Sequence, residues 1–145
     1  MKAAVLTKIR KIEIKDIEKP KIKDDEVLIK VKSTGICGSD LHAYRGVHPF
    51  RKPPVVLGHE VSGIIEELGK NITEFKIGDK VTVEPNIGCS KCEYCSEGHY
   101  NFCEQKKVPG VGDWTGTFSE YFVAPGKTIY KLSDNLSFDE GALIE

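Results

Sequence analysis

The sequence lacks both a strong charge bias and any long apolar run. Its 21 basic and 22 acidic residues give a formal net charge of -1, so we expect no surface for nucleic acid or for anionic membranes. No apolar stretch approaches the roughly 20 residues of a membrane-spanning helix. Lys8, Arg10 and Lys11 interrupt the first apolar residues, so we expect no signal peptide. These absences predict a cytoplasmic protein without nucleic-acid or membrane partners.

The sequence also lacks a dinucleotide-binding motif. No Gly-x-Gly-x-x-Gly follows a strand pattern, and no acidic residue stands about 20 positions beyond such a motif. With 145 residues, the chain is long enough for one domain and short for two. We therefore expect one domain over residues 1–145 and no Rossmann nucleotide-binding domain. Residues 137–145 have the pattern of a newly begun helix without a C-cap, which predicts that the natural protein continues, with a frayed terminal helix as the alternative.

Short alternations of apolar and polar residues, separated by charged residues, glycine and proline, predict a mainly β fold. The predicted strands lie in AAVL, KIEIKDI and EVLIKVKSTGI, and at residues 61–68, 80–84, 117–124 and 128–132. Their spacing is typical of a twisted, partly closed arrangement. Few helices are expected: Ser39 with Asp40 is a candidate cap for a short helix over 41–44, and residues 134–137 precede a helical pattern in FDEGALIE.

Four of the five cysteines are concentrated in one short segment. Their spacing is Cys89-x2-Cys92-x2-Cys95-x7-Cys103, which favours metal ligation over a disulfide framework. Four thiolates complete a tetrahedral zinc site and leave no position for a substrate, so the predicted role is support of the fold, in a lobe at about 86–106. The alternatives are buried free thiols, disulfides, an iron–sulfur cluster and a nucleic-acid-binding zinc ribbon, the last disfavoured by the near-neutral charge.

A second candidate metal site combines Cys37, which follows a predicted strand, with His59 and Glu60, which begin another. Loops at strand ends are where sites are usually built. A thiolate, an imidazole and a carboxylate suit zinc, and three protein ligands leave a fourth position for water or substrate. Each residue alone has a structural alternative: Cys37 as a small buried apolar residue, His59 as a hydrogen-bonded core histidine, and Glu60 as a solvated surface carboxylate.

The combined pattern resembles the zinc-containing medium-chain alcohol dehydrogenases. It consists of Gly35-x-Cys37-Gly38-Ser39-Asp40, Gly58-His59-Glu60-x2-Gly63-x5-Gly69-x2-Ile72, and the four-cysteine segment. The resemblance covers residues 1–145 and is strongest to the polyol and secondary-alcohol branch, which includes sorbitol, butanediol and threonine dehydrogenases. It implies a GroES-like (chaperonin-10-like), partly open β-barrel with a few short helices and a zinc-binding lobe, normally followed by a Rossmann domain that binds NAD or NADP.

The resemblance also implies roles for individual residues. Cys37 and His59 match the first two ligands of the catalytic zinc, and Glu60 matches a glutamate that coordinates directly or exchanges with water. Glu145 matches a position where some alcohol dehydrogenases have cysteine and the polyol branch has glutamate, often bound to zinc through water. Asp40 resembles the carboxylate that orients the ligand histidine, with helix capping as an alternative.

Two further residues match the family's proton path. Ser39 and His42 occupy positions that pass the alcohol proton outward through the cofactor ribose, with a helix cap and a polar helix face as their alternatives. The implied reaction interconverts alcohols or polyols and ketones, with zinc as Lewis acid and hydride transfer to nicotinamide. Ala43 stands where sorbitol dehydrogenases usually have an aromatic residue, with the aromatic Tyr44 one place later, which argues against sorbitol itself as the substrate.

The resemblance thus implies two zinc ions, one catalytic and one structural, together with NAD or NADP and a small alcohol or polyol as substrate. The parent enzyme is expected to be a homotetramer or homodimer, and residues 1–145 alone are expected to be inactive. Two other classes remain open. One is a non-enzymatic, zinc-dependent binding or scaffolding domain, and the other is a zinc-free reductase of the same fold, which the cysteines and His59 disfavour.

Overall fold

The computed structural model describes residues 1–145, and strands dominate its regular structure. The strands are β1 (Lys2–Lys8), β2 (Lys11–Asp16), β3 (Glu26–Thr34), β4 (Val55–Val56), β5 (Val61–Leu68), β6 (Lys80–Val83), β7 (Tyr121–Pro125) and β8 (Ile129–Lys131). The helices are α1 (Gly38–Tyr44), α2 (Glu93–Ser96) and α3 (Phe138–Ala142), with 3-10 turns at Tyr100–Phe102 and Gly126–Thr128. No helix has the length and apolar character needed to cross a lipid bilayer.

The strands form two antiparallel sheets, neither of which closes on itself. One sheet has the order β2-β1-β4 and the other the order β7-β3-β5-β6-β8. The longest pairing joins β3 to β5 and runs from Val27 opposite Leu68 to Thr34 opposite Val61. The prediction of a mainly β, partly open GroES-like arrangement with a few short helices is therefore confirmed.

The main core lies against the five-stranded sheet. Its nine members are buried aliphatic or aromatic residues on alternating strand positions: Val27, Ile29, Val61, Ile65, Val81, Val83, Phe122, Ala124 and Ile129. Burying a side chain of the size of valine, isoleucine or phenylalanine contributes about 1.5–3 kcal/mol. Trp114 extends this core, because its ring stacks on Phe122 at 5.8 Å between centroids and its Nε1 donates to the Val123 carbonyl at 2.7 Å. The sheet is thus a firm base for the loops at its edge.

The strand predicted at 117–124 begins later than expected, at Tyr121. Residues 117–120 instead follow a bent path. The Phe118 N–H donates to the Leu57 carbonyl at 2.9 Å, whereas the Glu120 N–H donates to the Lys2 carbonyl at 3.1 Å. Ser119 forms an isolated bridge with Ala3 of β1, so this segment changes partners before it joins β3 at Tyr121.

The first helix begins earlier than predicted, and the last helix ends earlier than predicted. The first helix was expected over 41–44 with a cap from Ser39 and Asp40, but α1 begins at Gly38 and Cys37 is its N-cap residue. Asp40 closes the first turn by accepting the Cys37 N–H at 3.1 Å. In the terminal FDEGALIE segment, a helix follows residues 134–137 as predicted, with Ser137 as its N-cap, but it ends at Ala142. Residues 143–145 are not helical.

Candidate metal centres

The structure brings Cys37, His59 and Glu60 together. One possible ligand atom from each residue lies within 4.8 Å of the other two. Cys37 and Glu60 are half-buried, and His59 is buried. Cys37 follows β3, whereas His59 and Glu60 immediately precede β5. Because these two strands run antiparallel and Thr34 pairs with Val61, the end of one strand and the start of the other must meet at the same edge of the sheet.

Backbone contacts hold Glu60 at this edge. Its carbonyl accepts the Gly35 N–H at 2.9 Å and the Thr34 hydroxyl at 2.8 Å. The Thr34 hydroxyl also lies 2.7 Å from that of Thr117. A Cβ at position 35 would overlap the Glu60 carboxylate. Glycine is therefore required at position 35 for the Glu60 side chain to occupy its observed place.

Asp40 connects the two loops that carry the cluster. Its side chain is buried, and its two carboxylate oxygens accept the Cys37 N–H and the Gly58 N–H, each at 3.1 Å. Its Oδ2 lies 3.8 Å from His59 Nδ1, which is beyond hydrogen-bond distance. Asp40 thus fixes the backbone on either side of the cluster, while its predicted orienting bond to the imidazole is not formed.

The cluster fits a metal ion better than it fits the structural alternatives. His59 Nδ1, which lies nearest to Asp40, is the one buried side-chain nitrogen or oxygen without a hydrogen-bond partner. A hydrogen-bonded core histidine would have that partner. A thiol, an imidazole and a carboxylate meeting at one point are a donor set that zinc accepts, and coordination orients the imidazole.

The two residues predicted for proton transfer lie on α1. His42 is exposed, and Ser39 is half-buried in the first turn. The Ser39 hydroxyl accepts a hydrogen bond from Arg51 Nη1 at 2.8 Å. Arg51 is only 5% exposed and was not predicted as a site residue. Its segment, HPFRKPP, gives no local signal of this role, because a charged residue between prolines usually lies in a solvated loop.

Burial and charge also affect the neighbouring His48. Its Nδ1 accepts the backbone N–H of Arg51 at 3.0 Å and that of Phe50 at 3.2 Å. Burial, followed by the positive charge of Arg51, lowers the pKa of His48 below its usual value of 6.5. At neutral pH His48 is therefore uncharged and anchors the loop that carries Arg51.

Glu145 lies outside the cluster. It is exposed, beyond the end of α3, and it lines a cavity of about 660 Å³ together with Glu84, Tyr130 and Ile144. The structure therefore groups three of the four residues proposed for the catalytic zinc and places the fourth elsewhere.

The four cysteines of the lobe meet as their spacing predicts. Each offers a sulfur within 4.8 Å of the other three, and all are free thiols. The Cys89 N–H donates to Cys103 Sγ at 3.4 Å, and the sulfurs of Cys89 and Cys95 are 4.0 Å apart. That separation is about twice the length of a disulfide bond. The cysteines are therefore arranged around a common point, as a tetrahedral metal site requires.

The pKa values of the lobe cysteines indicate that their thiolates need a cation nearby. The backbone N–H groups of Lys91 and Cys92 lower the pKa of Cys89 to about 6. The Cys95 backbone N–H lowers the pKa of Cys92, but burial and the neighbouring thiols outweigh it and raise that pKa to about 12. Four thiolates at this spacing are stable only around a cation. Cys103 is the one buried residue between positions 86 and 106, so the lobe has no apolar core of its own.

The family comparison agrees with this geometry. The sequence-family model for the alcohol dehydrogenase GroES-like domain matches residues 23–134. Sorbitol dehydrogenase of Bacillus subtilis is 43% identical over an alignment of 149 residues, which covers 100% of this chain and 42% of the relative. The chain spans about two fifths of the length of the curated relatives it matches.

Solved structures give the same result. Galactitol-1-phosphate dehydrogenase from Escherichia coli matches with a TM-score of 0.92 at 33% identity, over 100% of this chain and 42% of that chain. A protein described as a short chain alcohol dehydrogenase from E. coli CFT073, solved with NADH, matches with a TM-score of 0.90 at 38% identity, over 100% of this chain and 42% of that chain. The predicted resemblance to the zinc-containing medium-chain dehydrogenases and their polyol branch is confirmed. The chain belongs to the family of alcohol dehydrogenase GroES-like domains.

Proposed function

We propose that residues 1–145 are the zinc-binding catalytic domain of an NAD(P)-dependent oxidoreductase that interconverts alcohols or polyols and ketones. The observation that carries this proposal is the meeting of Cys37, His59 and Glu60, with an unpartnered buried nitrogen on His59. The sorbitol and galactitol-1-phosphate dehydrogenases among the similar proteins support a polyol-like substrate. The NADH-bound relative supports a nicotinamide cofactor.

Each cluster has a defined part in this function. Cys37, His59 and Glu60 would hold the catalytic zinc, and when bound it supplies Lewis acidity that lowers the pKa of an alcohol hydroxyl. Asp40 holds the two ligand-bearing loops in register. Ser39 and His42 would carry the alcohol proton outward. We propose Glu145 as a further ligand on the basis of its sequence position alone.

The lobe at about 86–106 would hold a second, structural zinc. Its ligands would be Cys89, Cys92, Cys95 and Cys103, which form a closed set with no position for substrate. The metal would take the place of the apolar core that this segment lacks.

Three further expectations belong to the same proposal. The nucleotide-binding domain lies outside residues 1–145, so these residues alone should not turn over NAD. The parent enzyme is a homotetramer or homodimer. The five free thiols support a reducing compartment, for which the cytoplasm is the proposed location.

Metal analysis tests the function most directly. We expect two zinc ions per chain, falling to one in His59→Ala and to one in Cys103→Ser. Cobalt substitution should then show a mixed-ligand open site in Cys103→Ser and a thiolate-only site in His59→Ala. A wild-type chain with a single, closed thiolate site would instead favour a scaffolding domain. Efficient NAD-dependent oxidation by the isolated 145 residues would contradict the expected division into domains.

A further inference from the structure

Arg51 is a buried cation whose polar contacts lie beside the proposed catalytic cluster. Its side chain is 5% exposed, and a guanidinium at that depth is stable only when its charge and donors are satisfied. Nη1 donates to Ser39 Oγ at 2.8 Å and lies 3.8 Å from Asp40 Oδ1. Nε and Nη2 both donate to the Pro109 carbonyl, at 3.2 and 3.0 Å. These contacts therefore hold the Arg51 guanidinium in one position.

The contact with Ser39 determines how that hydroxyl can act. A serine hydroxyl has one proton to donate and two lone pairs to accept with, whereas arginine has donors only. Arg51 occupies one lone pair of Ser39 and cannot accept its proton. The hydroxyl is left with one donor and one acceptor, both directed away from the guanidinium. A group that receives a proton on one side and releases its own on the other needs this pair.

We propose that Arg51 is a positioning residue that fixes the hydroxyl of Ser39 for hydrogen bonding to the substrate alcohol. The inference rests on the proposed function, since it assumes that an alcohol binds at the Cys37, His59 and Glu60 cluster. The same cation also balances the charge of Asp40, whose carboxylate accepts the N–H groups of Cys37 and Gly58. Arg51 thereby couples the proton path to the loops that carry the metal ligands.

The way in which Arg51 is held shows why lysine would be a poor substitute. The two bonds to the Pro109 carbonyl and the bond to Ser39 use separate nitrogens of the planar guanidinium. The backbone at Gly110 lies against this group, since a Cβ there would be 3.2 Å from Nε. An ammonium is a single point charge with three donors on one atom, so it does not match partners that are arranged around a planar guanidinium.

Alcohol binding to the cobalt-loaded 145-residue chain tests the proposal. The probe is 2,2,2-trifluoroethanol, titrated while the visible absorption of the mixed-ligand cobalt site is recorded. We expect Ser39→Ala and Arg51→Met each to weaken binding by about two- to tenfold, the effect of one hydrogen bond. The double variant should bind no more weakly than the weaker single variant, because both changes remove the same interaction. Arg51→Lys should bind with intermediate affinity.

The controls separate positioning from folding. Arg45→Met removes an exposed arginine at the end of α1 and should leave binding unchanged. If Arg51→Met fails to fold by circular dichroism, Arg51→Lys alone decides the question through its expected partial loss. Wild-type affinity in the folded Arg51 variants, additive losses in the double variant, or no response of the wild-type cobalt site to the probe would overturn the inference. Cobalt that enters only the four-cysteine lobe would instead refute the proposed function.

Discussion

Replacing Asp40 by asparagine tests whether one buried carboxylate holds the catalytic cluster together. Asparagine has nearly the same shape, but only one of its two polar atoms is an acceptor. The side chain can therefore keep the bond from Cys37 or the bond from Gly58, both 3.1 Å in the wild type, and not both. The substitution also removes the negative charge 3.8 Å from the Arg51 guanidinium.

The magnitude follows from these losses. A buried N–H left without an acceptor costs about 1–3 kcal/mol, and breaking a buried ion pair on one side costs about 3–5 kcal/mol. Because the two losses overlap at the same carboxylate, we expect the free energy of unfolding to fall by about 3–5 kcal/mol. For a chain of 145 residues, that lowers Tm by about 10–16 °C.

The assay is thermal and urea unfolding in the presence of a chelator, so that metal binding does not enter the comparison. Asp113→Asn, at an exposed turn position, is the control and should change Tm by no more than about 2 °C. In the double variant Asp40→Asn with Arg51→Met, the cation that has lost its partner is removed as well. The free energy of unfolding should therefore fall by less than the sum of the two single losses. A drop in Tm below about 3 °C for Asp40→Asn would refute the assignment of Asp40 as the link between the loops.

Two further predictions concern the loop before His59 and the last helix. Gly58→Ala should lower the free energy of unfolding by about 2–4 kcal/mol, because its φ is +92° and a Cβ would overlap the Phe118 ring. Gly78→Ala has the same strain at φ +93° but open space, so urea unfolding should show a smaller loss. The N–H and hydroxyl of Ser137 donate to Glu140 and lower its pKa below 4.5. The stabilisation of α3 by this carboxylate is therefore complete above pH 4.5 and is lost as the pH falls through the lower pKa of the folded state. The protection factors of the α3 amides, which correct for the intrinsic pH dependence of exchange, should therefore fall on acidification, and Glu140→Gln should remove that dependence.

The sequence predicted the parts of the sites that are encoded locally. The four lobe cysteines lie within fifteen positions, so their spacing alone brings the sulfurs together. Cys37 and His59 are 22 positions apart, and their ligand types were sufficient to suggest a site. It was the family pattern that connected them, and the antiparallel pairing of β3 with β5 explains why the connection is correct.

The features that the sequence did not predict depend on distant contacts. Arg51 lies 58 positions from Pro109, and no periodicity or capping rule links them. The two-residue strand β4 is too short to produce an alternating pattern. Ser39 has a stronger intrinsic preference for the N-cap position than cysteine, yet Cys37 occupies it. The path of the chain out of β3 places Cys37 at the N-cap, and the Cys37 N–H donates to Asp40. These constraints override the local preference for serine.

The two cysteine-containing clusters differ in what keeps their ligands in place, and this difference matches their proposed roles. The lobe between 86 and 106 buries only Cys103, so its shape would depend on the proposed ion that all four sulfurs would bind. The other cluster is held before any ion binds, because Asp40, Thr34 and Gly35 fix its backbone against a sheet with a nine-residue core. Its ligands do not have to hold the fold. A site of this kind can leave one coordination position for substrate and can exchange a ligand during a reaction without loosening the protein around it.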